Sequence, residues 1–189
     1  MAVPPTIQKQ QLRDRLRAAR RALVRGRDDD RSLAGTVHYD ILQALIESRA
    51  CVAGYWPMPT EPDSMPLLIA ANKSGAVTAL PRIDPITNML NFCRWNPFDL
   101  TEKYKSFQQP LIVADVVQPD IILAPLMGFD RALNRLGQGG GHYDRAFTAY
   151  PKALKIGIAW SVQEVAALPA EPHDVPLDAV LTEKEWITL

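Results

Sequence analysis

From Leu12 onward, apolar positions recur at Leu16, Ala19 and Leu23, steps of 4, 3 and 4 that lay one apolar stripe along a helix. Lys9, Arg13, Arg17 and Arg20 follow nearly the same spacing and fall on the neighbouring face. The stretch from Lys9 to Arg31 holds nine basic and four acidic residues, so a basic stripe runs beside the packed one. Arg17, Arg20, Arg21 and Arg25 read as a solvated face, whereas Lys9 and Arg13 read either as solvated or as overhanging a groove. A second helix is expected over 32–48, with Leu33, Val37, Ile41, Leu42 and Leu45 inside and Asp28, Asp29, Asp30 and Ser32 as capping candidates.

Past that point the pattern becomes that of strands. Ala50–Tyr55, Ala76–Leu80, Ile121–Pro125, Lys155–Trp160 and Ala179–Leu181 are short apolar runs, as in strands buried on both faces. Pro81 is expected to close the second of them. Met89–Trp95 alternates like a half-buried strand paired antiparallel. Helical segments are expected from Asp63 or Ser64 to about Gly75, from about Tyr143, and over 161–167, while 96–119 has no clear pattern. This alternation predicts a three-layer α/β/α fold with a mainly parallel sheet and a small antiparallel insert, in one domain across residues 1–189.

Composition narrows the function. Of 189 residues, 47% are hydrophobic and 22% charged, which excludes disordered, collagenous and coiled-coil classes. The 21 basic and 21 acidic residues cancel, so the basic footprint of a nucleic-acid binder is missing. No run approaches the ~18 apolar residues of a membrane span, and the first residues lack a signal-peptide core. A cytoplasmic monomer with no nucleic-acid or membrane partner is expected. Cys51 and Cys93, both in apolar runs, are expected to be buried reduced thiols.

The chemistry concentrates in three loops. Four of the ten glycines lie at 137, 139, 140 and 141, after a predicted strand and before a predicted helix. Glycines let the backbone approach an anion, and a helix N-terminus favours phosphate. Arg135 can add a bidentate contact, and Asp144 can hold a hard cation such as Mg²⁺. The loop matches neither GxxxxGK[ST] nor GxGxxG, because His142 stands where a third glycine would. The second loop, Tyr55–Asp63, offers Glu61 as an acceptor for a heterocycle, with Trp56 and Met58 as walls. Asp63 there reads as a helix cap, and Glu61 itself is left open between a ligand contact and a solvated position. In the third loop, Asp174 is a metal candidate only if the fold brings it to Asp144.

Together these segments resemble the 5-formyltetrahydrofolate cyclo-ligase family over nearly the whole chain. The resemblance rests on Lys9-x-x-x-Arg13, Met58-x-x-Glu61, Leu80-Pro81-Arg82 and His173-Asp174 through Asp178. Its most specific part is Gly128-Phe-Asp130 followed by Asn134-Arg-Leu-Gly-x-Gly-x-Gly-x-Tyr-Asp144. The sequence departs from the family pattern at Gln138, often Arg, and His142, usually Tyr. The resemblance implies ATP- and Mg²⁺-dependent cyclisation of 5-formyltetrahydrofolate to 5,10-methenyltetrahydrofolate, with ADP and phosphate as co-products. It implies that Lys9, Arg13 and the loop Arg135, Leu136, Gly137, Gln138, Gly139, Gly140, Gly141, His142 and Tyr143 contact ATP. It assigns Arg135 and Lys9 to catalysis, Trp56, Glu61 and Gln138–His142 to folate, and Asp144 and Asp174 to magnesium.

Overall fold

The computed structural model describes residues 5–27, 31–33, 38–105, 107–169, 171–172 and 174–189. The helices are α1 (Pro5–Arg25), α2 (Tyr39–Glu47), α3 (Met65–Lys73) and α4 (His142–Ala149). The strands are β1 (Cys51–Ala53), β2 (Val77–Ile83), β3 (Leu90–Arg94), β4 (Thr101–Tyr104), β5 (Phe107–Pro110) and β6 (Ile121–Pro125). They continue as β7 (Gly128–Phe129), β8 (Arg135–Leu136), β9 (Leu154–Ile158), β10 (Ala179–Leu181) and β11 (Trp186–Ile187). One seven-stranded sheet has the order β11-β10-β9-β6-β1-β2-β3. Its inner strands β10, β9, β6, β1 and β2 are parallel, and β3 and β11 pair antiparallel at the edges.

The continuous apolar runs follow from burial on both faces. Val52, Ile121, Leu123, Ile156 and Ile158 share a core with Leu42 and Ile46 of α2 and Leu67 and Leu68 of α3. Ala53, Ala79, Ala124 and Val180 join the opposite core, where their small side chains admit Phe147 and Tyr150 from α4 and the loop after it. Gly157 belongs to this thin layer: a Cβ there would lie 2.7 Å from Leu177 Cδ1 and 2.8 Å from Leu126 Cδ2. Each fully buried Leu or Ile stabilises by about 1.5–3 kcal/mol. Nine-residue helices such as α2 and α3 depend on that packing, because isolated helices of this length are marginal.

α1 serves a different purpose. Leu16 packs on Met127, Leu136, Val165 and Leu168, residues that follow the carboxyl ends of β6 and β9. The helix thereby lies against the carboxyl edge of the sheet. Because β1 has β2 on one side and β6 on the other, the chain reverses direction there, and a crevice opens beyond the strand ends.

Some elements differ from the pattern-based expectation. Pro81 lies inside β2, opposite Phe92, at a position whose nitrogen faces away from β3. The β1 register ends at Ala79, so no neighbour on that side needs the missing N–H. The second helix begins at Tyr39, residues 31–33 are non-helical, and its expected caps Asp28–Asp30 lie outside the described residues. The expected helix over 161–167 is a single 3-10 turn, Ser161–Gln163. There Gln163 turns its side chain to the Trp160 N–H and to the Leu126 and Met127 carbonyls. Residues 96–119 contain the β4–β5 hairpin, and the glycine-rich segment opens with the two-residue β7–β8 hairpin. Cys51 and Cys93 are free and buried, and burial pushes the Cys51 thiol up to about 11. No helix among the described residues is long and apolar enough to cross a membrane.

Candidate active site

A cavity of about 560 Å³ occupies the crevice at the switch point, bordered by α1, the loop after β1, the end of β6, the glycine segment and the β5 end of its hairpin. One wall is the loop leaving β1. Tyr55 donates its hydroxyl to the Pro62 carbonyl at 2.6 Å, and Trp160 Nε1 donates to the Thr60 carbonyl at 3.0 Å. Arg31 holds the Met58 carbonyl at 2.9 Å. These bonds fix a tight turn in which Glu61 N–H donates to Met58 O while Met58 N–H donates to Glu61 Oε2 at 3.0 Å. Glu61 is only 3% exposed, and burial pushes its carboxyl above the usual range, against the lowering effects of the Met58 N–H, Arg20 and Gln138. Asp63 accepts from the Met65 N–H at 2.9 Å at the start of α3, the capping role its position implied.

The opposite wall is the glycine segment. Gly139 has φ +105° and Gly141 +62°, the latter as N-cap of α4, so left-handed residues set the path into the helix. Such alternation turns successive N–H groups toward one side, and the helix N-terminus adds its partial positive charge. Arg13 reaches from α1, donating Nε to the Gly137 carbonyl at 2.9 Å. Its guanidinium carbon lies 3.5 Å from where a Gly139 Cβ would stand, an ordinary contact, so glycine is favoured there by the left-handed φ and not by crowding. Lys9, one turn earlier, is 8% exposed and donates to Glu171 at 2.6 Å and Asp174 at 2.8 Å. Desolvation alone would lower its pKa, but the two carboxylates outweigh it and raise it. Leu136 is buried at the start of this wall, and Arg135 beside it donates to Asp144 at 2.9 Å and lies over the Tyr143 and Phe147 rings.

Two donors here have no partner among the described residues: Arg135 Nε and Tyr143 Oη, both buried. Buried polar atoms are normally satisfied, so these two stand out among the cavity-lining residues. Burial raises the Tyr143 pKa, which keeps its hydroxyl protonated and able to donate. His142 opens α4 beside Arg145, and burial followed by that positive neighbour lowers its pKa, leaving the ring neutral at pH 7.

The cavity brings together Lys9, Arg13, Trp56, Glu61, Arg135, the whole segment Leu136–Tyr143, Asp144 and Asp174. His173 lies outside the described residues. Asp144 and Asp174 each face a protein cation, Arg135 and Lys9 respectively, and no group of three or more His, Cys, Asp or Glu gathers among the described residues. Two carboxylates nevertheless fit Mg²⁺, which typically takes one or two from protein and completes its shell with phosphate and water.

Two residues escaped the sequence reading. Arg20, expected on a solvated face, is 3% exposed and pairs with Glu61 at 3.6 Å. It lies 11 positions from Lys9, just over three full helical turns, and so shares the face that Leu16 buries. Glu171 is the second carboxylate on Lys9, and its Pro-punctuated loop carried no signal distinguishing it from surface decoration.

The chain matches the model of the 5-formyltetrahydrofolate cyclo-ligase family over residues 5–183. It is 32% identical over 187 residues to 5-formyltetrahydrofolate cyclo-ligase of Haemophilus influenzae, covering 93% of this chain and 98% of that protein. It is 34% identical over 145 residues to the enzyme of that name in Escherichia coli K12, covering 71% and 79% respectively. The NMR structure of 5,10-methenyltetrahydrofolate synthetase from Aquifex aeolicus superimposes with a TM-score of 0.79 at 30% identity, over 95% of this chain and 92% of that one. The match over residues 5–183 and the extent of these likenesses show that the chain belongs to the 5-formyltetrahydrofolate cyclo-ligase family.

Proposed function

We propose that this chain closes 5-formyltetrahydrofolate to 5,10-methenyltetrahydrofolate at the expense of ATP, as its family membership indicates. The observation that carries the proposal is the union, in one cavity, of a backbone anion cradle with a buried carboxylate suited to a heterocycle's N–H edge.

A formamide carbon is weakly electrophilic, and its oxygen is a poor leaving group. The formyl oxygen attacks the γ-phosphorus, and the bond from that phosphorus to the ADP oxygen breaks. N10 then adds to the activated carbon, its proton passes to water, and the carbon–oxygen bond breaks. Phosphate departs with the former formyl oxygen, leaving the methenyl bridge. Phosphoryl transfer needs mainly positioning and charge neutralisation, so no protein nucleophile is required.

The N–H groups of Gly137, Gly139, Gly140 and Gly141 and of the first turn of α4 cradle the polyphosphate. Lys9, Arg13 and Arg135 neutralise it, with Arg135 and Lys9 following the charge of the transferring group. Tyr143 and Leu136 bound the nucleotide side, and Gln138 to His142 lie between nucleotide and folate. Trp56 walls the pterin, and Glu61 accepts its N–H donors. Asp144 and Asp174 would hold Mg²⁺, which when bound neutralises phosphate charge.

Purified protein mixed with 5-formyltetrahydrofolate and Mg-ATP is expected to form the methenyl chromophore and release ADP, and to form neither product without ATP. Absence of the chromophore with all components present would overturn the proposal.

A further inference from the structure

A buried guanidinium on the C-terminal half of α1 faces the folate wall. Lys9, Arg13, Leu16 and Arg20 occupy one stripe of the helix, and Lys9 and Arg20 are separated by about 16 Å of helix at 1.5 Å per residue. Lys9 and Arg13 meet the nucleotide side, Leu16 anchors the helix in the core, and Arg20 meets Glu61. Arg20 Nη1 lies 3.6 Å from Glu61 Oε1 and 3.4 Å from the Leu126 carbonyl, and Arg20 Nε has no partner among the described residues. Arg20 does not line the cavity, whereas Glu61 does.

We infer that Arg20 is a positioning residue for folate: it acts through Glu61, holding that carboxylate ionised and oriented so that it accepts the pterin N–H groups. This role rests on the folate assignment of Glu61 proposed above. An isolated carboxylate buried to this degree takes up a proton rather than remain charged. A protonated Glu61 would present one hydroxyl donor to a ligand edge that itself donates. Charged or titratable groups face Glu61 from several elements: Arg20 from α1, Arg31 before α2, Tyr55 after β1 and Tyr143 on α4. Both tyrosines are held neutral by burial, and Arg31 is engaged with the Met58 carbonyl. Arg20 is the cation with a direct contact to the carboxylate at 3.6 Å. Gln138, which lines the cavity, also favours the ionised form of this carboxylate, while Arg20 reaches it from outside the cavity lining.

The test is direct titration of folate and of ATP, separately, into wild type, R20Q, R20K, E61Q and R20Q/E61Q. R20Q is expected to weaken 5-formyltetrahydrofolate binding about 10-fold at pH 7, with ATP affinity within about twofold of wild type. The deficit should shrink as pH rises, because higher pH re-ionises the unsupported carboxylate, a trend that lost packing would not produce. R20K, which keeps the cation, should recover to within about threefold of wild type. R20Q/E61Q should bind folate no worse than E61Q, because Arg20 has nothing to position once the carboxylate is gone. That comparison also carries the test if R20Q alone, with its stranded carboxylate, does not fold. A wild-type-like R20Q, or a further 10-fold loss in R20Q/E61Q over E61Q, overturns the Arg20 role. Wild type that binds no folate overturns the proposed reaction itself and the Arg20 role with it.

Discussion

The two walls of the cavity use charge in opposite ways. On the proposed nucleotide side Lys9 is paired with Asp174 and Glu171 and Arg135 with Asp144, while Arg13 holds the Gly137 carbonyl. The carboxylates on Lys9 are partly open to solvent, with Glu171 and Asp174 side chains 34% and 19% exposed, so an exchange of partners costs little there. On the folate side the pair Arg20–Glu61 is closed off, at 4% and 3% side-chain exposure, and exchange is not available to it. Breaking such a buried pair by removing one member costs about 3–5 kcal/mol, largely from the charge left behind. With the proposed roles, the Lys9 end of the nucleotide wall is free to exchange partners, whereas the folate wall stays fixed.

The sharpest break in this comparison is Asp144→Asn. It is expected to lower Mg-ATP-dependent turnover about 100-fold or more, as loss of several kcal/mol of charge stabilisation implies. The melting temperature should also fall by several degrees, because Asn removes the charge facing a guanidinium side chain that is only 3% exposed. Steady-state kinetics beside a thermal melt checks both, and near-normal turnover would remove Asp144 from the metal site.

On the fixed wall, Glu61→Gln should weaken folate binding about 10-fold or more, about 1.4 kcal/mol, while leaving ATP affinity nearly unchanged. The amide keeps the shape but sets an N–H against the ligand's N–H. Calorimetry with each ligand alone decides it, since a solvated Glu61 would leave both affinities intact.

Lys9→Ala and Arg13→Ala should each raise the ATP concentration needed for half-maximal turnover by about 3–10-fold, the size of one lost charged contact to phosphate. The folate Kd should stay put. If both variants bind ATP normally, the basic stripe contributes nothing to the nucleotide wall.

The smallest effect is a pH trend. Burial raises the Glu61 pKa in the folded chain above its ordinary value of 4.5. The folded protein therefore takes up that proton first as pH falls, and this one group stabilises the fold increasingly between its raised pKa and 4.5. Folate binding should weaken over the same window, so affinity and this stability contribution move in opposite directions. In Glu61→Gln both trends should vanish, as paired melts and titrations across the acid range would reveal.

Much of this was legible in residue order. The step pattern from Leu12 to Leu23 marks α1, the apolar runs mark the inner strands, and glycines 137–141 before Tyr143 mark one wall of the cavity. What escaped depends on neighbours distant in sequence. Arg20 looks like its solvated companions until the loop carrying Glu61 folds over it, and nothing local distinguishes it from Arg21. Pro81 looks like a strand stop unless one knows that β1 ends beside Ala79. The hairpins β4–β5 and β7–β8 are too short, and too poor in alternation, to stand out from loop sequence.

The central claim is that the formyl oxygen is activated by phosphorylation inside one cavity. Its most direct test is turnover of 5-formyltetrahydrofolate labelled with ¹⁸O in the formyl group, followed by mass analysis of the phosphate released. The account predicts one labelled oxygen in each phosphate, with one ADP formed per methenyl group. Methenyl product formed with unlabelled phosphate, or with the label recovered in water, would contradict it.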